Sequence, residues 1–504
     1  MTYLSCKRLR PFLFTYITLP ILVFIAGFLR WYWAIPMSAL LVYVFSCAVN
    51  GQNRFEKTIP VSRRELGFWF LFVLLFTHLC GLSGFWYQTT DWNARNPIFK
   101  DIITKSWPVY YEGRDTALAY YIGFWLVPAL PAKLVNFLFG VDAGWLVGHF
   151  SLWLWASVGV YLLLLGTFVM TGGISQRARV AVAAVLLGFS GLDVIGMLLT
   201  KQTWVINRFT LHLEWWYLTY EFSSITTCLC WVFNQTIIPW VCILCFLMEK
   251  DCRNYALIGI SCLLCGPLPL VGMAVLMLTR TISDGISSKK WKITIRNAFS
   301  VQNIAAFLCI FPPIAMYILS NNAAAAGIKT DAVEKPTFWG MLLFLFLEAG
   351  IYLILLFRNR RRDPLFYAVA VTLMACPFVR IGARDDFCMR VSVPGILLIA
   401  FWSADTVAGI AKDGLPKKKK ARCMAIALLI TLTIGAVTPG VELYRGIYQV
   451  VKQKTIFLEN REYDSLEEYA DITINFEASD PKERVFYRWF GKKLVGGREN
   501  TVEQ

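Results

Sequence analysis

The chain has 504 residues, 57% apolar and only 16% charged, with a formal net charge of +16 and a mean hydropathy of +0.54. A soluble protein of this length carries roughly 25% charged residues, so the composition excludes an ordinary soluble enzyme. The positive charge does not indicate nucleic acid either, because it sits in short spacers between apolar blocks: Lys7, Arg8 and Arg10; Arg63 and Arg64; Lys289, Lys290 and Lys292; Arg358 to Arg362; Lys417 to Lys420. Cytoplasmic loops beside anionic headgroups have this distribution.

The apolar blocks are long enough to cross roughly 30 Å of hydrocarbon. The first, at about 11–29, follows a basic stretch but has no small-x-small cleavage site after it, and a second begins at once at 31–49, so it reads as a retained anchor. A third, at about 66–86, leaves the chain outside at Tyr87. The stretch 117–140 is interrupted by Gly123, Pro128 and Pro131 and carries Lys133. If it crossed, Arg177, Arg179 and every later basic loop would fall outside, so an outer-face juxtamembrane or re-entrant helix is predicted. Spans at about 145–170 and 180–197 follow, then a polar, aromatic outer segment 198–235 and a return through 236–249.

The stretch 254–280 has Arg253 and Arg280 at its ends and Cys265-Gly266-Pro267-Leu268-Pro269 in its middle. This predicts two short helices that enter and leave from the inside, their freed backbone covered by protein. Spans near 301–320, 338–357, 364–380, 391–411 and 423–440 complete the bundle. The expected fold is an all-α polytopic membrane protein of about 11–13 transmembrane helices, including the re-entrant pair, with outer-face juxtamembrane helices. It divides into an N-terminal hairpin and inner loop (1–65), a main transmembrane domain (66–440) with an outer loop at 87–144, and a small polar non-cytoplasmic tail (441–504). The N-terminus is expected in the cytoplasm and the C-terminus outside. A bacterial plasma (inner) membrane suits the basic loops, and an endoplasmic reticulum protein would look similar.

Most of the 14 cysteines lie in apolar segments. Cys242-x-x-Cys245 and Cys262-x-x-Cys265 match a zinc spacing, but their apolar helical setting reads as buried free thiols. His78, His149 and His212 are scattered, so no metal-ligand set is assigned, and a divalent cation bridging carboxylates and phosphate is left open.

The unusual polar residues gather on the outer face. The first outer loop holds Asp91, Trp92, Arg95, Asp101, Trp107 and Tyr110; Asp193 stands where a span emerges; Lys201, Arg208, His212, Glu214, Trp215, Trp216 and Glu221 follow. Arg380, Arg384, Asp385, Asp386 and Arg390 crowd a later outer turn. Ionisable residues at membrane depth are costly unless paired or solvated, which marks a wet cavity or a site. Each also has a simpler reading. Asp91 after two threonines could cap a helix, and Asp193 could cap its span or pair with Lys201. The tryptophans could form an interfacial belt, and the arginines could anchor headgroups.

In the order of these features the chain resembles the GT-C membrane glycosyltransferases, in the branch of the protein O-mannosyltransferases and the lipid A aminoarabinose transferase. Asp91 takes the position of that family's first-loop acidic residue, and Tyr120-Tyr121-Ile122-Gly123 to Phe139-Gly140 that of its second juxtamembrane helix. Leu192-Asp193 matches its second Asp, Cys265-Gly266-Pro267-Leu268 its Gly-Pro break, and Arg390-Val391-Ser392-Val393-Pro394 its outer Arg before a Pro-containing span. The family's Asp-Glu pair is replaced by Asp91-Trp92.

The resemblance implies transfer of a sugar from a polyprenyl-phosphate carrier to a glycolipid, cell-surface glycan or protein acceptor at the non-cytoplasmic face. Asp91 would act as base and Asp193 as orienting partner or second acid. Arg384 and Arg390, with Arg380 and Lys201 or Arg208, would hold phosphate. Glu214, Glu221 and Asp101 would line the substrate site, with Trp92 and Trp215 stacking on sugar faces. The alternatives are a transporter or flippase of lipid-linked glycans, which would need a polar path to both sides, and a non-catalytic membrane scaffold.

Overall fold

The computed structural model describes residues 2–173, 175–200, 212–217, 220–325, 337–379, 386–457, 459–469 and 475–495. The chain forms α1 (Cys6–Phe28), α2 (Trp31–Val49), α3 (Arg63–Leu79), α4 (Trp92–Thr104), α5 (Gly123–Phe139), α6 (Val141–Thr171), α7 (Gln176–Leu187) and α8 (Asp193–Leu199). It continues through α9 (Ile225–Trp231), α10 (Ile237–Met248), α11 (Tyr255–Cys265) and α12 (Pro267–Ser288). Last come α13 (Trp291–Leu319), α14 (Phe338–Arg360), α15 (Pro364–Ala375), α16 (Asp386–Asp413), α17 (Lys419–Gly435) and α18 (Val437–Gln453). Local chemistry sets several boundaries. Ser62 caps α3 by accepting the Glu65 N–H. Gly172 ends α6 in the left-handed region, at φ 68°.

Among the described residues, eight helices are long and apolar enough to cross a membrane, or nine if the bent pair around α9 and α10 counts as one span. Shorter apolar helices at Gly123–Phe139, Cys252–Cys265 and Pro364–Phe378 stand beside them. This is an all-α polytopic membrane protein.

Polar contacts collect at two opposite ends of the bundle. At the basic end, β1 (Thr2–Ser5) pairs antiparallel with β2 (Thr58–Val61). There Arg10 is buried against Glu249 and donates to the Ala48 carbonyl at 2.6 Å. Arg179 holds Glu65 at 2.5 Å, Arg54 holds Asp284, and Arg360 holds Asp405. At the other end, β3 (Tyr110–Tyr111), β4 (Thr116–Leu118) and β5 (Glu477–Ser479) form a three-stranded sheet. Arg30 there donates to the Gly491 carbonyl at 2.8 Å. The C-terminal segment is therefore an integral part of the face built by the 87–144 loop. The expected boundary at 440/441 falls inside α18, whose amphipathic turns continue to Gln453.

The 117–140 stretch does not run through the bundle. Its helix, α5, is about 26 Å long and doubles back along the first half of α6, where the Ser151 hydroxyl donates to the Pro128 carbonyl at 2.8 Å. Gly123 at its start meets Leu264 and Cys265 so closely that a Cβ would lie 2.7 Å from the thiol. Those residues form the tip of the α11–α12 hairpin, and both open ends of that hairpin lie at the basic end, where Asn254 donates to Glu249 at 3.0 Å and Asp284 meets Arg54.

One member of that pair is longer than expected. Arg280 does not end α12, because its guanidinium lies 4.5 Å from the Phe246 ring and is enclosed by the helix bundle. The return span is shorter. All twelve residues of α10 are buried, yet they extend only about 18 Å. The chain bends by 114° between α9 and α10, leaving Asn234, Gln235 and Thr236 buried at the bend.

Candidate functional site

Two polar clusters occupy the face opposite the basic end. The first is built on the start of α4. Asp91 precedes the helix in right-handed backbone conformation (φ −61°, ψ −21°), and its side chain caps nothing. Its carboxylate instead pairs with Arg95 one turn on, at 2.8 Å; the Asp91 side chain is 46% exposed and that of Arg95 6%. Arg95 lies against the Phe233 ring at 5.9 Å, and its Nη1 is buried with no hydrogen-bond partner among the described residues. Arg390, in the first turn of α16, pairs with Asp386 at 3.1 Å and lies in the electrostatic field of Asp91, Tyr120 and Tyr121. The Arg390 Nε is likewise buried and unpartnered among the described residues. The Tyr120 and Tyr121 rings stack at 4.6 Å. Burial pushes the Tyr121 hydroxyl up to about 12, although Arg390 pulls against it. Tyr120 feels Arg390, Arg95, Asp386 and Asp91 together, so these side chains form one electrostatic unit.

Two residues expected on the substrate side of this loop have other partners. Trp92 is buried, stacked on Phe233 at 4.6 Å, and its indole N–H donates to the Cys230 carbonyl at 3.1 Å. It is unavailable for stacking on a sugar. Asp101 faces the tail, where its carboxylate accepts from the Leu466 N–H (2.9 Å), the Ser465 hydroxyl (2.8 Å) and the Tyr111 hydroxyl (3.0 Å). Burial pushes Asp101 up to about 6 against the pull of those donors. It fastens α4 to the C-terminal segment and does not line the cavity.

The second cluster is enclosed. Asp193 is buried at the start of α8, accepting the Ser190 and Thr438 hydroxyls at 2.8 Å each. Its carboxyl adjoins Glu348, which sits on a π-helical turn, Phe346–Gly350, inside α14 and accepts the Trp216 indole N–H at 2.8 Å. Gly191 makes that approach possible, since a Cβ there would lie 1.8 Å from the Glu348 carboxylate.

Beside this pair, His212 Nε2 is 3.4 Å from Glu221 and 3.7 Å from Glu214, and its Nδ1 is 3.1 Å from Glu442. Glu442 is itself gripped by Arg445 at 2.8 and 3.0 Å and by the Trp231 indole N–H at 2.9 Å. Trp215, expected to stack on a sugar, donates its N–H to Glu221 at 3.2 Å. Burial pushes Glu214 well above the carboxylate range. Burial pulls His212 down, but the Glu442 and Glu221 carboxylates outweigh it and hold the imidazole well above its ordinary value. The ligand-type atoms of His212, Glu214 and Glu221 all lie within 4.8 Å of one another, so a histidine counted as isolated in the sequence stands in a possible metal-binding set.

Asp91 and Asp193 share no hydrogen-bond or ion-pair partner among the described residues. α9 links their two clusters: its Cys230 carbonyl receives Trp92, and its Trp231 donates to Glu442. The two carboxylates thus belong to two polar clusters, one half-exposed and one enclosed. Lys201, Arg208, Arg380 and Arg384 lie outside the described residues. Glu348, Glu442 and Arg445 were not singled out in the sequence, and Arg95 was named in the outer loop without a role, although two signals were present. Asp91 and Arg95 have the i,i+4 spacing of a helical ion pair, and Glu348 interrupts an otherwise apolar span. An apolar groove of about 420 Å³, lined by Phe72, Phe76, Leu187, Thr226, Pro439 and Leu443, runs beside α9 and α18.

Comparison with known family models, with curated proteins and with solved structures gives no match.

Proposed function

We propose that the protein is a GT-C-type membrane glycosyltransferase that moves a sugar from a polyprenyl-phosphate carrier to a hydroxyl acceptor at the non-cytoplasmic face. The observation that carries this reading is the open cluster: a half-exposed carboxylate, Asp91, held by a buried Arg95 whose Nη1 has no partner among the described residues, in the electrostatic field of Arg390. In the reaction, the acceptor oxygen attacks the anomeric carbon and Asp91 takes the acceptor's proton through the carboxylate oxygen that Arg95 leaves free. The bond from the anomeric carbon to the phosphate oxygen breaks, and its electron pair leaves with the polyprenyl phosphate. Arg95 and Arg390 receive the added negative charge. The configuration at the anomeric carbon inverts.

The surroundings support a one-sided site. The twelve residues of α10 below the clusters are all buried and contain no Asp, Glu, Lys, Arg or His, whereas a transporter needs a polar path through that region. The apolar groove beside α9 and α18 suits a prenyl tail, with the phosphate at the membrane surface.

The test is transfer by the purified protein in vesicles supplied with radiolabelled polyprenyl-phosphate sugars. Asp91→Asn should lower turnover by about 10²–10⁴-fold, the usual contribution of a positioned base. Wild-type turnover in that variant removes Asp91 from the chemistry, and the absence of transfer with every donor removes the proposal.

A further inference from the structure

The enclosed cluster leaves one buried carboxylate oxygen, Glu214 Oε2, without a hydrogen-bond partner among the described residues. We propose that His212, Glu214 and Glu221 bind a divalent transition-metal ion, zinc or manganese, which ties these three side chains together independently of sugar transfer.

The argument begins with the imidazole. Glu442 is an acceptor fixed by Arg445 and Trp231, and it lies 3.1 Å from His212 Nδ1, so Nδ1 carries a proton and donates it. Nε2 then faces two carboxylate oxygens, of Glu221 at 3.4 Å and Glu214 at 3.7 Å. A lone pair cannot sit against two carboxylates without a cation among them, whether a proton or a metal ion.

The distances suit a metal. Donors about 2.0–2.2 Å from a shared tetrahedral zinc are separated by about 3.3–3.6 Å, close to the two separations between His212 Nε2 and the carboxylates. One imidazole nitrogen and two carboxylate oxygens also match the preferences of zinc and manganese.

A second observation comes from Glu214. Its Oε1 accepts the Ser224 N–H at 2.9 Å and the Thr227 hydroxyl at 2.7 Å. Its Oε2 is buried, points at His212, and has no hydrogen-bond partner among the described residues. A buried, orphaned carboxylate oxygen is expensive, and a metal ion satisfies it. A carboxylate holding the distal nitrogen of a ligand histidine, as Glu442 does here, is the common supporting arrangement of protein metal sites. The surrounding charge agrees: Glu214, Glu221, Glu442, Asp193 and Glu348 are all buried in one region, and a dication lowers the cost of enclosing them.

The experiment uses the untagged full chain in detergent, loaded with Zn²⁺ or Mn²⁺, dialysed against metal-free buffer and assayed for bound metal by mass spectrometry. About one equivalent should remain, and a chelator should lower the melting temperature. Glu221→Gln and Glu214→Gln, which keep side-chain size, should each lose the metal, as should His212→Ala. Glu442→Gln should weaken binding by about 10–100-fold. Asp91→Asn should keep the metal in full, so failure of this site and failure of the transferase reading are separable. No retained metal with a melting temperature insensitive to chelator means that protons alone occupy the cluster and overturns the proposal. Equal retention in both Gln variants overturns it as well, and these near-isosteric changes decide the matter if His212→Ala does not fold.

Discussion

Asp91 and Arg95 lie one helical turn apart with their charges 2.8 Å from each other, and it is the arginine that is buried and the carboxylate that is open. A surface ion pair contributes little to stability. Here the exposed partner is held in a fixed orientation by one that the protein has desolvated, which is an arrangement for positioning.

The first prediction follows from that asymmetry. Arg95→Met should leave Asp91 present but unheld and remove a buried guanidinium. Under the transferase reading, both KM for the lipid donor and turnover should suffer, with a combined loss of about 10²-fold or more. Arg390→Ala should act mainly on donor KM. Steady-state kinetics on the two variants separate these outcomes, and an unchanged donor KM in Arg390→Ala excludes it as a phosphate ligand.

Asp101 gives a pH dependence with a definite sign. Its folded value, about 6, lies above the ordinary 3.8, so Asp101 holds a proton with the tail docked that it releases when the tail undocks. The associated stabilisation is complete below 3.8 and is lost as pH rises through 6. Docking should therefore be tighter at pH 5 than at pH 7, by about 1 kcal/mol. The Leu466 amide, which donates to Asp101, reports it: its hydrogen-exchange protection, corrected for intrinsic rate, should rise on acidification. In Asp101→Asn that pH response should disappear.

At the basic end, Arg10 and Glu249 form an ion pair in which both side chains are nearly inaccessible. Arg10→Met alone strands a buried carboxylate and should cost about 3–5 kcal/mol. The double variant Arg10→Met, Glu249→Gln should recover much of this loss. Thermal melts in detergent test the pair, and simple additivity of the two single changes would contradict it.

Gly191 tests the contact between the α7–α8 turn and α14. A Cβ at this position overlaps the Glu348 carboxylate, so Gly191→Ala must displace either the π-helical turn or Asp193. A loss of about 2 kcal/mol or more is expected, within the range for overpacking. Gly140→Ala, where no atom lies within 4 Å of the added Cβ, is a poor control because φ there is +90°, whereas Gly67→Ala meets open space without that strain and should be nearly silent.

Apolar run length, the positions of basic residues and proline punctuation were enough to read an all-α polytopic membrane bundle, although eight or nine of the described helices or bent pairs are long and apolar enough to span where about 11–13 were expected. Such a bundle is a one-dimensional consequence of what a bilayer tolerates. Residue pairing was not legible in the same way. Trp92, Asp101 and Trp215 carry the residue types of a binding site, yet their partners Cys230, Leu466 and Glu221 come from bends, a distant tail and a folded loop. The separation of Asp91 from Asp193, and the gathering of His212, Glu214, Glu221 and Glu442, likewise depend on the 114° bend between α9 and α10 and on where α18 packs. Burial in a membrane protein is set by helix-to-helix contact, and a hydropathy pattern that marks a helix as apolar does not say which of its polar residues will face one another.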